Sequence, residues 1–319
     1  MRIAIVGAGS LGLLFASKLS AVSEHIIVVT RTIEQANTLR ESGITLVEEG
    51  HVKVNSDIGR ISYESYEASI ASMEVGGMPG EMDLDYLFLM VKQPAITPEL
   101  MAYVKTRMSS GTIVVCFQNG VGHEKRLGQA LGMDRLLLAV TTEAARREGP
   151  AAVAHTGHGV TYIGSLASES GPKQNLKILL IDFLEKAGIT AILSKNMEIR
   201  VWNKLIMNAV INPLTAILRV RNGELLNSPW ALSLMRELFE EASLVAAAQG
   251  VVLPDDLWET LLGVCEATAQ NHSSMLQDLK QAKGTEIDSM NGSLLQMAIE
   301  LKLMLPVHQT VYGLVKALE

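Results

Sequence analysis

The chain has 319 residues, 48% hydrophobic and 19% charged, with a formal net charge of −7. That length exceeds one ordinary domain and predicts two, while the apolar balance excludes a disordered chain. Mild acidity without any Lys/Arg-dense block excludes a nucleic-acid surface, and no stretch reaches the roughly 20 apolar residues of a membrane span.

The N-terminus runs from Met1-Arg2 straight into IAIVGAG, too Gly-rich for a secretory leader, so the expected compartment is the cytoplasm. Through the first half, short apolar runs (RIAIVG, HIIVVTR, DYLFLMVK and TIVVCFQNG) read as buried strands. Between them LGLLFASKLS, TIEQANTLRESG and TPELMAYVKTRM have helical spacing. This alternation predicts βαβ units and a parallel sheet covered on both faces. ITLVEEGHVKVNS reads as an inserted hairpin turning at Glu49-Gly50, and SMEVGGMPGEMD as a loop in a poorly patterned stretch from Ser62 to Glu81. AAVAHTG and HGVTYIG predict strands pairing antiparallel at the sheet's far side. NLKILLIDFLEKAG follows as an amphipathic helix and ITAILS as a last strand. Beyond Ser194 the pattern is almost continuously helical, which sets two domains, 1–194 and 195–319. Cys116 and Cys265 lie far apart without a CxxC and fit buried thiols in a reducing cytosol.

GAGSLG, from Gly7 to Gly12, matches G-x-G-x-x-G between the first strand and the first helix, the context a dinucleotide-binding turn requires. Gly7 allows the tight turn, Gly9 the approach of a pyrophosphate, and Gly12 close helix–strand packing. The helix N-terminus supplies N–H groups and positive dipole. The second strand ends at Arg31, where NAD sites commonly place an acid on the ribose 2′-hydroxyl. A guanidinium there favours a 2′-phosphate, hence NADP, although a solvated surface charge is the plain alternative. Lys92 and Asn119-Gly120 follow strands at carboxyl ends, where ligands bind in such sheets; Asn119-Gly120 is also ordinary turn chemistry.

In the second half, KLIMNAVINPLT places Lys204, Asn208 and Asn212 at i, i+4 and i+8, one stripe of an otherwise apolar helix. Repeated Asn is a poor choice for a solvated helical face, so the stripe either faces a polar cleft or is a satisfied structural feature. Pro213 predicts a kink near Asn212. SSMLQDLKQAK reads as a helix broken at Gly284, and Thr285 as an N-cap with Asp288 three residues on. The break would let Glu286 fold back towards Ser274; Glu286 otherwise reads as a first-turn acid favoured by the helix dipole.

AARREG (144–149), WNKLIMNAVINPLTAI (202–217), NGEL (222–225) and SSMLQD…TEID (273–288), together with GAGSLG, resemble the ketopantoate reductase family over nearly the whole chain. The resemblance implies an N-terminal Rossmann-type parallel-sheet domain, an all-α C-terminal domain, and an active site in a cleft that closes on ligand. It implies that Gly7, Ala8, Gly9, Ser10, Leu11 and Gly12 bind the pyrophosphate of NADPH and that Arg31 meets the 2′-phosphate. Lys92, Asn119 and Ala145 would lie near the cofactor, and Lys204 would be the catalytic lysine. Asn119, Asn208, Asn212, Asn222, Ser274 and Glu286 would hold substrate, with Glu286 also near the nicotinamide end.

The implied reaction is reduction of 2-dehydropantoate to (R)-pantoate, towards pantothenate and coenzyme A. Lys204 is the group on the stripe able to supply positive charge and a proton, and the asparagines can fix hydroxyl and carboxylate groups. Expected partners are a small-molecule substrate only, with no metal, in a monomer or homodimer. Two rivals stand beside this reading: a reductase of another 2-oxo acid or an imine on the same fold, and a non-catalytic NADPH sensor.

Overall fold

The computed structural model describes residues 1–55, 60–74, 83–166 and 171–319. Its elements begin with β1 (Arg2–Val6), α1 (Ser10–Leu19), β2 (His25–Thr30) and α2 (Ile33–Ser42). A hairpin of β3 (Ile44–Glu48) and β4 (His51–Asn55) follows, then β5 (Ile61–Ser65) and α3 (Tyr66–Glu74). Next come β6 (Tyr86–Leu89), α4 (Pro98–Arg107), β7 (Ile113–Cys116), α5 (His123–Leu131) and β8 (Leu136–Thr141). The first half ends with β9 (Ala144–Arg147), β10 (Ala152–Gly157), β11 (Thr161–Gly164), α6 (Gln174–Lys186) and β12 (Ala191–Leu193). Only helices follow: α7 (Met197–Leu218), α8 (Pro229–Ala248), α9 (Leu257–Ala267), α10 (Ser274–Lys280), α11 (Asn291–Leu301) and α12 (Pro306–Leu318), with short 3₁₀ turns between them.

The chain divides into two units, 1–118 with 123–197, and 119–122 with 198–319. In the first, eight strands form one sheet in the order β12-β11-β8-β7-β6-β1-β2-β5. The six from β8 to β5 are parallel. The inner strands read as continuous apolar runs because helices cover both faces: Ile3 to Val6 and Tyr86 to Leu89 are buried without alternation. The strand order reverses direction at β1/β6, so the turn after β1 and the segment after β6 emerge at the switch point where such sheets bind ligands.

The hairpin forms at the expected place, with Glu49 at φ 50° and Gly50 at φ 80°, the left-handed pair a tight two-residue turn needs. Its partners are where the structure departs from expectation. HGVTYIG supplies β11, antiparallel to β8 as expected, but AAVAHTG supplies β10, which leaves the main sheet. β10 instead pairs parallel with β3 and antiparallel with β9, making a second sheet ordered β4-β3-β10-β9. Alternating patterns specify a buried face but not which strand lies alongside. The stretch from Ser62 also carries more structure than its pattern predicts, closing β5 and forming α3; the expected loop from Ser72 lies mainly at 75–82, outside the described residues. Both cysteines are free and buried, and burial pushes the Cys265 thiol up to about 11.

The helical unit has its own core, centred on Leu205, Ile206, Ala209, Val210, Met235, Leu238, Ala242, Leu261 and Leu294. α7 carries Pro213 in its interior, which has no N–H to give the Ala209 carbonyl. That carbonyl is taken instead by the Asn291 side chain of α11, at 2.9 Å. The other Asn291 N–H goes to His308 Nδ1 (2.9 Å), and His308 Nε2 donates to the Leu238 carbonyl (3.0 Å). Those two bonds fix the ring as the neutral Nε2–H tautomer, and burial holds its pKa down to about 4. Glu241 of α8 caps the start of α12, accepting from the Val307 and His308 backbone N–H groups at 2.9 Å each. Leaving a buried acceptor unpaired costs about 1–3 kcal/mol. Asn291→Ala should therefore destabilise the protein by a few kcal/mol in urea unfolding. In a Pro213→Ala background, where residue 213 regains an N–H for Ala209, the cost should shrink; an unchanged cost would disprove the compensation.

Candidate functional site

In the first unit the Gly-rich turn shows what each glycine is for. Gly7 has φ 116°, and a Cβ there would lie 2.8 Å from the Met90 carbonyl carbon. A Cβ on Gly12 would fall 1.8 Å from the Gly7 oxygen, so both residues are dictated by the fold. Gly9 differs: a Cβ there would meet nothing within 4 Å. The fold leaves open space at Gly9, as a turn admitting a ligand's phosphates needs. α1 starts at Ser10 with no side-chain cap and no acid in its first turn, so its leading N–H groups and positive dipole end stay unscreened. Ala8 is buried, while Ser10 and Leu11 are part-exposed. The cradle thus fits a dinucleotide pyrophosphate by shape and by donors.

Three more of the expected cofactor residues lie in this unit. Arg31 follows β2 with its side chain 86% exposed, 3.4 Å from Glu67 of α3. Lys92, exposed, leads a short 3₁₀ turn after β6, and Ala145 lies part-buried on β9, paired with His155 of β10. Two positioning residues gave no signal in the sequence. Gln35, in the first turn of α2, donates to the carbonyls of Ala8 (3.0 Å) and Pro150 (2.9 Å), tying the Gly-rich turn to the segment after AARREG. Gln118 donates to the carbonyls of Leu89 (2.8 Å) and Val91 (2.9 Å), holding the end of β6 beside β7. A lone glutamine has no pattern to betray it; its partners are backbone groups far off in sequence.

The second unit gathers a polar set around α7. The segment 119–122 belongs to this unit although it follows β7 in the chain. Gly120 takes φ 82°, so it serves the turn, while the Asn119 amide reaches Glu286 Oε2 at 3.1 Å. Glu286 is buried (8% exposed), and the Lys204 ammonium feels its charge. Lys204 is part-buried by surface, yet enough protein surrounds its nitrogen that desolvation lowers its pKa to about 8, with Glu286 opposing the fall. These three residues, 82 or more apart in sequence, are the ones the structure brings into interaction.

The remaining expected residues lie apart from this set of interactions. Asn208 is part-buried on α7, with no side-chain hydrogen bond among the described residues. Asn212, buried, points its amide at Met290 Sδ (3.8 Å), a weak acceptor for a strong donor. Asn222 is buried and donates to Thr268 Oγ1 (2.9 Å), while its Oδ1 has no partner among the described residues. Ser274 is exposed in the first turn of α10, and its neighbour Ser273 caps that helix and accepts from Thr215.

The expected N-cap at Thr285 does not form as a capping box. Thr285 donates to Glu319 of the C-terminal helix (2.7 Å), and Asp288 is drawn away by Tyr312 (2.6 Å) and Lys316 (3.3 Å). Glu286 precedes a short 3₁₀ turn rather than occupying the first turn of a helix, so helix-dipole stabilisation does not account for its buried carboxylate.

The chain matches two family models: "Ketopantoate reductase PanE/ApbA" over residues 3–168 and "Ketopantoate reductase PanE/ApbA C terminal" over 196–319. It is 34% identical to a 2-dehydropantoate 2-reductase of Bacillus subtilis, over 100% of this chain and 98% of that protein. A solved structure of a probable 2-dehydropantoate 2-reductase from Bacillus subtilis superposes with a TM-score of 0.81 at 30% identity, covering all of both chains. A D-mandelate dehydrogenase solved with NADH and anilino(oxo)acetate shares the fold, at TM-score 0.87 and 24% identity, over 100% and 98% of the two chains.

Because Glu286 works to raise the Lys204 pKa, Glu286→Gln should lower it below about 8. A lysine NMR titration reads the change directly, and an unmoved value would show that the two groups are not coupled.

Proposed function

Since the chain belongs to the ketopantoate reductase family, we propose that it reduces 2-dehydropantoate to (R)-pantoate with NADPH, Lys204 acting as general acid. The observation that carries the reading is the Lys204–Glu286–Asn119 set: a lysine with its pKa brought down to about 8, beside a buried carboxylate. A general acid works best with a pKa near the working pH, and burial has moved Lys204 there from the ordinary lysine range.

NADPH, when bound, supplies the hydride. The turn from Gly7 to Gly12 and the uncapped start of α1 hold its pyrophosphate, Arg31 its 2′-phosphate, and Lys92, Asn119 and Ala145 its nearer parts. Lys204 faces the C2 carbonyl oxygen, offsets the negative charge that grows there, and delivers a proton from Nζ. Asn208, Asn212 and Asn222 orient the substrate's carboxylate and hydroxyl by amide hydrogen bonds, Asn222 through its unpartnered Oδ1. Ser274 takes the carboxylate. Glu286 accepts from the 4-hydroxyl and keeps Lys204 charged. Residues 1–118 with 123–197 then serve as the cofactor unit and 119–122 with 198–319 as the substrate unit.

A second reading has one observation behind it: Arg31 is exposed and already beside Glu67, so the 2′-phosphate preference rests on a single solvated guanidinium. On that reading the chain reduces another 2-oxo acid, with NADH, as the NADH-bound D-mandelate dehydrogenase of the same fold suggests. Oxidation of NADPH and NADH, followed with 2-dehydropantoate and a panel of 2-oxo acids, decides between them.

Lys204→Ala should lower kcat by about 10²–10⁴-fold while NADPH affinity by fluorescence titration stays near wild type; near-normal turnover would remove Lys204 from the chemistry. Reduction needs the protonated amine, so kcat/KM should fall as pH rises through about 8, whereas oxidation of pantoate should rise through the same pH. Arg31→Asp should cut the NADPH-over-NADH preference about tenfold or more by replacing a charge-assisted bond with repulsion. An unchanged ratio would refute the 2′-phosphate contact.

A further inference from the structure

At the second sheet, among side chains that none of the motifs above includes, two histidines and two glutamates come together. His155 of β10 has its side chain only 1% exposed and a carboxylate at each ring nitrogen. Nδ1 is 2.5 Å from Glu48 Oε1 on β3, and Nε2 is 2.6 Å from Glu143 Oε2 in the segment between β8 and β9. The exposed ring of His158 packs edge-on against His155, centroids 4.3 Å apart, with its Nε2 3.5 Å from Glu49. Lys18 of α1 donates to Glu48 Oε1 at 2.8 Å, so both bonds to this carboxylate use one of its two oxygens.

On a regular strand, residues three apart point to opposite faces. Here β10 carries a bulge between His155 and Gly157, and the extra residue resets the alternation so that His158 returns to the face of His155. Bulges commonly re-aim a side chain in this way, and the result is a set of donor atoms from Glu48, His155 and His158 all within 4.8 Å of one another.

We propose that Glu48, His155 and His158 form a binding site for a divalent transition-metal cation of the Zn²⁺ type. Two imidazoles and one carboxylate match the nitrogen and oxygen donors such ions take, and three protein ligands leave a position for water. The surrounding groups support the ligands. A metal-bound histidine almost always donates its other ring N–H to a carboxylate, backbone carbonyl or water, and the buried Glu143 stands at His155 Nε2 to accept it. Lys18 steadies Glu48 through Oε1, which leaves Oε2 for the cation. Ligand atoms on a tetrahedral ion lie about 3.4 Å apart, given bonds of about 2.1 Å. The 2.5 Å contact of His155 Nδ1 with Glu48 Oε1 therefore opens on binding while the wider separations, up to 4.8 Å, close, movements open to the exposed His158 and the part-exposed Glu48. The proton on His155 Nδ1 leaves to solvent as the ion takes its place.

The test is equilibrium dialysis of the chelator-stripped full chain against Zn²⁺, with bound metal counted by mass spectrometry and affinity measured by calorimetry. Wild type should bind one equivalent that His158→Ala loses, while His51→Ala, on the adjacent β4, keeps it. Glu143→Gln should weaken binding about 10–100-fold, the usual cost of removing such an outer carboxylate. Far-UV circular dichroism confirms that each variant is folded; His158 is exposed, and its loss leaves the core intact. No bound equivalent in wild type, or undiminished binding by His158→Ala, overturns the site. Such a result would mark the cluster as an ion-paired strut of the second sheet.

Discussion

The helical unit turns on the carbonyl of Ala209. Pro213 deprives it of its helical partner, and the repair comes from Asn291, 82 residues further along the chain. Because the same amide also engages His308, one side chain holds α7, α11 and α12 in register, and His308 extends the link to α8 through Leu238. With both N–H groups of this buried amide committed in this way, it has little freedom, since any shift of one helix strands a donor or acceptor in the core. α7 is the helix that carries Lys204, Asn208 and Asn212. Its polar stripe is therefore presented by a backbone tied to a neighbouring helix, as the ligand contacts proposed for it would require.

Much of the fold was legible because local chemistry dictated it. The β-branched runs, the hairpin turn at Glu49-Gly50 and the Gly-rich loop each follow from the conformations their residues prefer. What escaped was pairing at a distance. β10 has the pattern of a half-buried strand in either sheet, and nothing within AAVAHTG says that β3, more than 100 residues earlier, is its neighbour. The stretch after Ser62 shows the opposite failure, where weak local pattern hid a strand and a helix whose partners were already in place.

The candidate site divides along the same line. Spacing put Lys204, Asn208 and Asn212 on one stripe, and the glycines announced the turn. Spacing could not say that Lys204 feels Glu286, or that Asn119 reaches across 167 residues to hold that carboxylate. Pro213 announces an interruption of the helical hydrogen bonds, but not that the carbonyl it frees is met by the side chain of Asn291. Gln35 and Gln118 were invisible because a glutamine bonding to backbone leaves no periodic trace.

The small segment from Asn119 to Gly122 has a further consequence. By grouping with the helical unit it makes the polypeptide pass from one unit to the other three times, at 118–119, 122–123 and 197–198. No single cut separates them cleanly. A fragment beginning at Glu198 would keep Lys204 and Glu286 but lose the amide that holds the carboxylate. A graft of the helices onto a foreign nucleotide-binding half would inherit whatever residue that half places after its equivalent of β7. Recombination between relatives of this fold must therefore carry four residues of the first half along with the second, or rebuild Glu286's neighbourhood from new material.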